Sequence, residues 1–222
     1  MGKYFGTDGF RGEANIVLTV EHAFKVGRYL GWYFGREKKA RIVIGKDTRR
    51  SSYMFEYSLV AGLTASGADV FLLHVTTTPS VSYVVRTEGF NCGIMISASH
   101  NPYYDNGIKV INEKGEKLEE SVIVEIEKYL DGEMGEIPLA KKDKIGRTVD
   151  FAAGRNRYIG YLISIATRSF KGKKVALKPV VKPFTSKQKV TYTSSNKKVA
   201  TVSSKGIVTG KKKEDCRVVV NG

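Results

Sequence analysis

Cysteine and histidine are scarce in this chain. The two cysteines, Cys92 and Cys216, lie far apart, and the three histidines are scattered. A disulfide framework or a zinc site needs more of these residues at closer spacing. We therefore expect neither of them, and no structural metal.

Long apolar runs are also absent. No stretch approaches the roughly 20 consecutive apolar residues of a membrane-spanning helix. The first six residues, MGKYFG, contain no signal-peptide core. The sequence therefore predicts a cytoplasmic protein with no membrane partner.

Acidic residues are almost missing from the last quarter of the chain. Residues 171–222 hold 14 Lys and Arg against 2 Asp and Glu, whereas residues 1–170 hold 23 against 20, so the total of +15 divides into +12 and +3. This break in composition predicts a domain boundary. The basic tail has only Phe184 and Tyr192 as aromatic residues. Because a basic stripe needs groove or stacking geometry to bind nucleic acid, we consider nucleic acid an unlikely partner.

The first 170 residues alternate short apolar runs with helical patterns. The runs at residues 42–44, 70–73 and 94–96 show no polar alternation, which is typical of parallel strands covered on both faces. Apolar residues repeat at helical spacing over 19–34, 55–63, 118–129 and 151–165, with Thr19 placed to cap the first helix. The pattern predicts an α/β fold, a three-layer α/β/α sandwich with a mostly parallel sheet.

The last fifty residues have a different sequence pattern. Short β-type runs begin at Val190, Val199 and Arg217, and turns rich in Ser, Gly and Lys separate them. This pattern predicts an all-β segment. A piece of about fifty residues has a marginal core by itself.

Residues 96–111, ISASHNPYYDNGIKVI, place polar side chains directly after the third predicted strand. Ligands bind at the carboxyl ends of the strands in open α/β sheets. Pro102 restrains Asn101 to an extended shape, and the turn at residues 105–107 sends the chain back toward Lys109. The loop can thus present the Ser99 hydroxyl, the His100 imidazole and the Lys109 ammonium to one phosphate group.

Three interpretations of this loop compete. In the first, serine and asparagine cap a helix or turn and His100 is a surface residue. A serine hydrolase is less favoured, because no G-x-S-x-G motif is present and an adjacent histidine cannot easily act as base for its neighbour. In the third, Ser99 carries a phosphoryl group between substrates, which requires dense positive charge and a divalent ion around the phosphate.

Four motifs in order favour the third interpretation. They are YFGTDGFRG at 4–12, GKDTRRSS at 45–52, TTP at 77–79 and ISASHNPYYDNGIK at 96–109. Together they resemble the N-terminal domain of the α-D-phosphohexomutase superfamily, most closely its bacterial phosphoglucosamine mutase branch. The resemblance covers residues 1 to about 177, and chance agreement of all four motifs is remote.

The resemblance implies a role for each matching residue. Ser99 would be the phosphoserine, and its phosphate would also be a ligand of Mg²⁺. Arg11, His100 and Lys109 would neutralise the transferring group, with Lys109 a candidate for proton handling, and Asn101 would contact phosphate. The implied substrate is a hexosamine phosphate, with glucosamine 6-phosphate and glucosamine 1-phosphate interconverted through a bisphosphorylated intermediate. Asp47 and Arg49 are interpreted as structural, and residues 77–79 as a loop that shapes the cleft wall.

The resemblance covers only the first of the family's four domains. The metal loop of the second domain, of D-G-D-G-D-R type, has no counterpart here, nor do the sugar- and phosphate-binding loops of the later domains. We therefore expect three parts: residues 1–150 as the first domain, 151–177 as a linker helix with the start of a truncated second domain, and 178–222 as a Lys-rich β segment. That segment resembles part of a bacterial Ig-like (group 2) domain.

Truncation has consequences for function. Without the acidic loop, Mg²⁺ would have the phosphoserine and little else, so we expect no significant mutase activity from this chain alone. Apolar surface that has lost its neighbouring domains predicts self-association. The alternative function is a non-catalytic binding or cell-surface module defined by the Ig-like tail.

Overall fold

The computed structural model describes residues 2–168, 174–176, 191–212 and 218–221. The chain divides into two compact units, Met1–Tyr158 and Ile159–Gly222. The start of the predicted first tail strand at Val190 and that of the last at Arg217 lie outside the described residues.

The first unit is built on a seven-stranded sheet. Its strands are β1 (Phe5–Gly6), β2 (Gly9–Glu13), β3 (Arg41–Lys46), β4 (Asp69–Val75), β5 (Cys92–Ile96), β6 (Asp105–Asn112) and β7 (Thr148–Asp150). They are ordered β1-β2-β6-β5-β3-β4-β7 across the sheet. The four strands β5, β3, β4 and β7 run parallel, whereas β1, β2 and β6 pair antiparallel.

Helices lie between these strands, and one more helix follows the last of them. They are α1 (Val20–Phe34), α2 (Arg50–Ala65), α3 (Thr78–Glu88), α4 (Glu120–Leu130) and α5 (Ala152–Ile165), with a 3₁₀ turn at Lys142–Lys144. Thr19 caps α1 as predicted: its hydroxyl accepts a hydrogen bond from the His22 N–H at 3.3 Å. His22 returns the contact, because its Nδ1 accepts from the Thr19 N–H, also at 3.3 Å.

Side chains that alternate along the central strands form a separate core on each face of the sheet. On one face Ile42, Ile44 and Ile94 belong to the apolar cluster that α1, α2 and α4 cover. On the other face Val43 and Met95 pack in the cluster of α3. Burial on both faces explains why these strands appear as unbroken apolar runs in the sequence.

The predicted fold class is confirmed. The runs at 42–44, 70–73 and 94–96 lie within β3, β4 and β5, and helices cover both faces of the sheet. One local prediction was wrong: residues 77–79, interpreted as a loop, begin a helix. Thr77 is the N-cap of α3 and Pro79 lies in its first turn, where the fixed φ of proline fits and its missing N–H costs nothing.

The second unit contains short antiparallel strands, as the all-β prediction required. They are β8 (Lys174–Ala176), β9 (Thr191–Ser194), β10 (Ala200–Val202), β11 (Ile207–Gly210) and β12 (Val218–Asn221). Strand β11 pairs with β10 and β8, and β12 pairs with β9. The sequence pattern missed β11, because its three apolar or β-branched residues are enclosed by glycines.

Candidate functional site at the carboxyl edge of the sheet

The loops that follow β3, β4 and β5 meet at one edge of the sheet, because these strands are parallel. Backbone hydrogen bonds tie the loops together there: the Asp47 N–H donates to the Ile96 carbonyl at 3.0 Å, and the Thr76 N–H donates to the Lys46 carbonyl at 2.9 Å. This edge is where α/β sheets bind ligands.

Ser99 lies in the loop after β5 and is exposed. Its backbone has φ +58°, a left-handed conformation that costs a non-glycine residue about 1–2 kcal/mol. Its N–H donates to the Ser97 hydroxyl at 3.0 Å. Within the described part of the chain, the Ser99 hydroxyl and the exposed His100 ring make no hydrogen bond or ion pair, so both are available to a ligand.

Asn101 lies half-buried in the same loop. Its side-chain amide donates to Asp105 Oδ2 at 2.9 Å, and its N–H donates to the Ala98 carbonyl at 3.1 Å. One of its two amide hydrogens is therefore used to brace the loop.

Arg11 and Lys109 project from the face of the sheet that α3 covers. Arg11 is paired with Gly107 across β2 and β6, and Lys109 is two residues further along β6, so the pleat places both side chains on one face. A Cβ built on Gly107 would lie 3.0 Å from Arg11 Cγ and 2.9 Å from the Ser97 carbonyl. The Arg11 side chain thus passes over Gly107 beside the strand end that leads to Ser99.

Asp8 joins these two cations, and the sequence did not single it out. Its Oδ2 forms an ion pair with Arg11 Nη2 and lies 3.4 Å from Lys109 Nζ. The Asp8 side chain is 65% exposed, whereas those of Arg11 and Lys109 are 21% and 16% exposed. A carboxylate that bridges two partly buried cations marks a position that an anionic group can occupy.

A cleft of about 420 Å³ opens beside this cluster. Its wall includes Asp8, Lys109 and the first turn of α3 with Thr78 and Pro79. Two of the three residues expected to shape a cleft wall, Thr78 and Pro79, therefore line this cleft, and they do so as part of a helix.

Asp47 and Arg49, for which the sequence predicts a structural role, both make several contacts from the loop after β3. Asp47 accepts hydrogen bonds from the Arg49 N–H at 3.0 Å and the Ser52 hydroxyl at 2.6 Å. Arg49 reaches across to the Ser99 loop, with its Nη2 donating to the Ser99 carbonyl at 3.0 Å.

Sequence reasoning missed a buried ion pair below this loop. Lys46 Nζ pairs with Glu56 Oε2, and the two side chains are 4% and 3% exposed. Lys46 Nζ also lies 3.9 Å from the centre of the Tyr53 ring. The pair spans β3 and α2, so no local spacing in the sequence signals it.

Cys92, at the start of β5, is not a candidate nucleophile. It is fully buried, and that burial raises the pKa of its thiol far above the ordinary value. The thiolate that nucleophilic chemistry requires is therefore not formed near neutral pH.

Metal-ligating side chains do not cluster in the described residues. Among them, no group of three or more His, Cys, Asp or Glu side chains converges well enough to hold a metal ion. The same residues include no helix that is long and apolar enough to span a bilayer.

A mixed sheet with helices on both faces defines an α/β/α sandwich domain, and an exposed serine loop lies at its carboxyl edge. Residues 2–135 match the family model for the phosphoglucomutase/phosphomannomutase alpha/beta/alpha domain I. The chain belongs to this family. Residues 167–220 match the model for the bacterial Ig-like domain (group 2).

Relatives and solved structures agree with this assignment. A phosphoglucosamine mutase of Lachnospira eligens is 76% identical over 180 residues, and one of Streptococcus pneumoniae is 48% identical over 179 residues. Each alignment covers 80% of this chain and 40% of the relative. The crystal structure of a phosphoglucomutase/phosphomannomutase family protein from Burkholderia thailandensis superposes with a TM-score of 0.60 at 20% identity, covering 77% of this chain and 36% of that one. The chain thus spans less than half of the length of the curated relatives that it matches.

Proposed function

We propose that this chain supplies the first domain of a phosphoglucosamine mutase and that Ser99 is its phosphoryl carrier. The observation that carries the proposal is the exposed, unpartnered Ser99 hydroxyl in the loop after β5, the strand that pairs with β6, beside which Arg11 and Lys109 lie. The two relatives with 76% and 48% identity carry the name phosphoglucosamine mutase, which favours a hexosamine phosphate as the substrate.

In the proposed transfer, the phosphate of phospho-Ser99 passes to a sugar hydroxyl. The bond between Oγ and phosphorus breaks as the bond between the sugar oxygen and phosphorus forms, and the sugar hydroxyl gives up its proton to a nearby base. Lys109, when neutral, is the group that we assign to this proton. The reverse transfer, from the other position of a sugar bisphosphate, restores phospho-Ser99.

Charge neutralisation is the main requirement of such a transfer. The Arg11 guanidinium can hold two phosphate oxygens at once, and His100 and Asn101 approach from the loop itself. The magnesium ion implied by the resemblance would contact the phosphate of Ser99, and it stays an expectation, as does the cytoplasmic location.

The test is to incubate the protein with a hexosamine 1,6-bisphosphate and to locate the phosphate by peptide mass spectrometry. We expect phosphate on the peptide that contains Ser99, and none there in Ser99→Ala. Ser121→Ala, which removes an exposed serine of α4, is the matched control and should be labelled like the original protein. Phosphate on another peptide, or on none, would show that Ser99 is not the carrier.

We further propose that the 222 residues alone do not complete the mutase reaction, because they span 40% of the relatives' length. Turnover of glucosamine 6-phosphate should lie below detection in a coupled assay. The same assay on a full-length relative provides the positive control. Turnover comparable to that relative would contradict the proposal.

The match of residues 167–220 to an Ig-like model supports a second candidate, a non-catalytic binding or surface module. Fractionation of the source cells tests it. Protein outside the cell together with an unphosphorylated Ser99 would favour the binding module over the enzyme domain.

A further inference from the structure

Arg49 uses its entire hydrogen-bonding capacity on the protein. A guanidinium carries five N–H hydrogens and no acceptor. Nε donates to Asp47 Oδ2 at 3.0 Å. The other four hydrogens go to backbone carbonyls of a single loop, those of Ser99, Asn101, Pro102 and Asp105.

These contacts join two loops that are distant in the sequence. Arg49 follows β3, and the carbonyls that it binds lie 50 to 56 residues later, after β5. The Arg49 side chain is only 12% exposed. Asp47 fixes the orientation of the guanidinium, so the fork is directed at the Ser99 loop before any ligand arrives.

Arg11, in contrast to Arg49, still has unused hydrogen-bond donors. Its Nη2 pairs with Asp8, but its buried Nε has no hydrogen-bond partner among the described residues. Arg11 therefore keeps donors for a ligand, whereas Arg49 has none left to offer. Two arginines in family motifs near one serine thus differ in what they can do.

The Ser99 backbone explains why such a clamp is needed. A serine at φ +58° is strained, and strained residues persist only where their surroundings hold them. The bond from Arg49 Nη2 to the Ser99 carbonyl, 3.0 Å long, holds the peptide group directly after that residue.

We propose that Arg49 is a positioning residue, which holds the Ser99 loop in the strained shape that exposes the hydroxyl, and that it does not bind phosphate. The consequence for phosphoryl transfer rests on the proposed function of Ser99. The clamp, meaning the hydrogen bonds from Arg49 to the Ser99 loop, does not depend on that function.

The first experiment measures the loop directly, by hydrogen exchange of the peptides that cover residues 97–105. Arg49→Lys keeps the positive charge but removes the planar guanidinium that donates to several carbonyls at once. We therefore expect hydrogen exchange in this loop to be about tenfold faster or more, while the exchange rates of β3 and α1 stay unchanged. Arg50→Lys is the matched control, since Arg50 is exposed and makes no ion pair with the described residues. Exchange in Arg49→Lys equal to that in Arg50→Lys would overturn the clamp.

If Arg49→Lys does not fold, Asp47→Asn provides a milder perturbation. It removes the charge that orients the guanidinium while an amide oxygen still accepts from the Arg49 N–H. We expect faster exchange in residues 97–105, smaller than in Arg49→Lys would be. Unchanged exchange in a folded Asp47→Asn would contradict the role of Asp47 in the clamp and, with it, the proposal.

The second experiment separates positioning from phosphate binding. Phosphate incorporation at Ser99 is followed against the concentration of a hexosamine 1,6-bisphosphate. For Arg49→Lys we expect a maximal rate about tenfold lower at an unchanged half-saturating concentration, whereas Arg11→Lys should raise the half-saturating concentration. A raised half-saturating concentration in Arg49→Lys would show that Arg49 binds phosphate and would overturn the proposal.

The two proposals fail in distinguishable ways. If the original protein takes no phosphate at Ser99, the proposed function fails, and hydrogen exchange still decides whether Arg49 holds the loop. If phosphate is taken at Ser99 but Arg49→Lys changes neither exchange nor rate, only the positioning role is wrong.

Discussion

Glu127 on α4 holds the first strand of the sheet through backbone N–H groups. Its Oε1 accepts hydrogen bonds from the Tyr4 N–H at 2.8 Å and the Phe5 N–H at 2.7 Å, and its Oε2 accepts from the Lys3 N–H at 3.0 Å. One carboxylate thus satisfies three donors of the segment that leads into β1. We predict that Glu127→Gln destabilises the first unit much more than an ordinary surface substitution.

The magnitude follows from counting these bonds. Hydrogen bonds to a charged group contribute about 1.5–3 kcal/mol each, and they are about twice as strong as neutral ones. Glutamine keeps one oxygen for Tyr4 and Phe5 but turns an amide N–H₂ toward the Lys3 N–H, so one bond is lost and two are weakened. Because the Lys3 contact is exposed, we take the low end and expect a loss of about 3 kcal/mol. In a domain of this size that lowers the melting temperature by roughly 6–12 °C.

The assay is thermal and urea unfolding of Glu127→Gln beside Glu125→Gln, two substitutions one half-turn apart on the same helix. Glu125 makes a single exposed ion pair with Lys128, 2.8 Å long, and removing it should cost about 0.3–0.5 kcal/mol. Free energies of unfolding for the two variants that agree within about 0.5 kcal/mol would refute the role of the carboxylate as an anchor.

Two further predictions concern backbone geometry and pH. Gly9 has φ +99°, and a Cβ there would lie 2.4 Å from the Ile108 carbonyl oxygen, whereas Gly89 at φ +66° faces open space. Gly9→Ala should therefore cost at least about 2 kcal/mol more than Gly89→Ala in urea unfolding, and equal losses would count against the contact. Burial lowers the pKa of His22 in the folded protein below its ordinary value of 6.5. The folded protein is therefore most stable above pH 6.5, where His22 is neutral. It loses this stability as the pH falls through the lower folded-state pKa, because the buried ring must then take up a proton. The melting temperature should fall between pH 7 and pH 5 by more in the original protein than in His22→Asn, and identical pH profiles would show that His22 does not contribute.

Local patterns predicted most of the first unit, for a physical reason. The central strands are buried on both faces of the sheet, so their sequences are uninterrupted apolar runs. Each helix buries one side against the sheet, so its apolar residues repeat every three or four positions. The cap at Thr19 depends on residues three positions apart. The sequence pattern did not predict strand β11, because its apolar run is short. It did not predict the start of helix α3, because that start contains Thr and Pro residues that also occur in loops.

Some features of the site also follow from local sequence, and others depend on the tertiary structure. The sequence by itself determined that Ser99 follows a buried strand and that a turn brings the chain with Lys109 back along that strand, since both depend on neighbours within a few residues. Only the tertiary structure decided that Asp8 bridges Arg11 and Lys109, because Lys109 lies 101 residues from Asp8. It also decided the difference between the two arginines. A guanidinium behaves as a clamp or as a binding group according to how many of its donors the fold already occupies, and that number depends on contacts that pairing of distant strands creates.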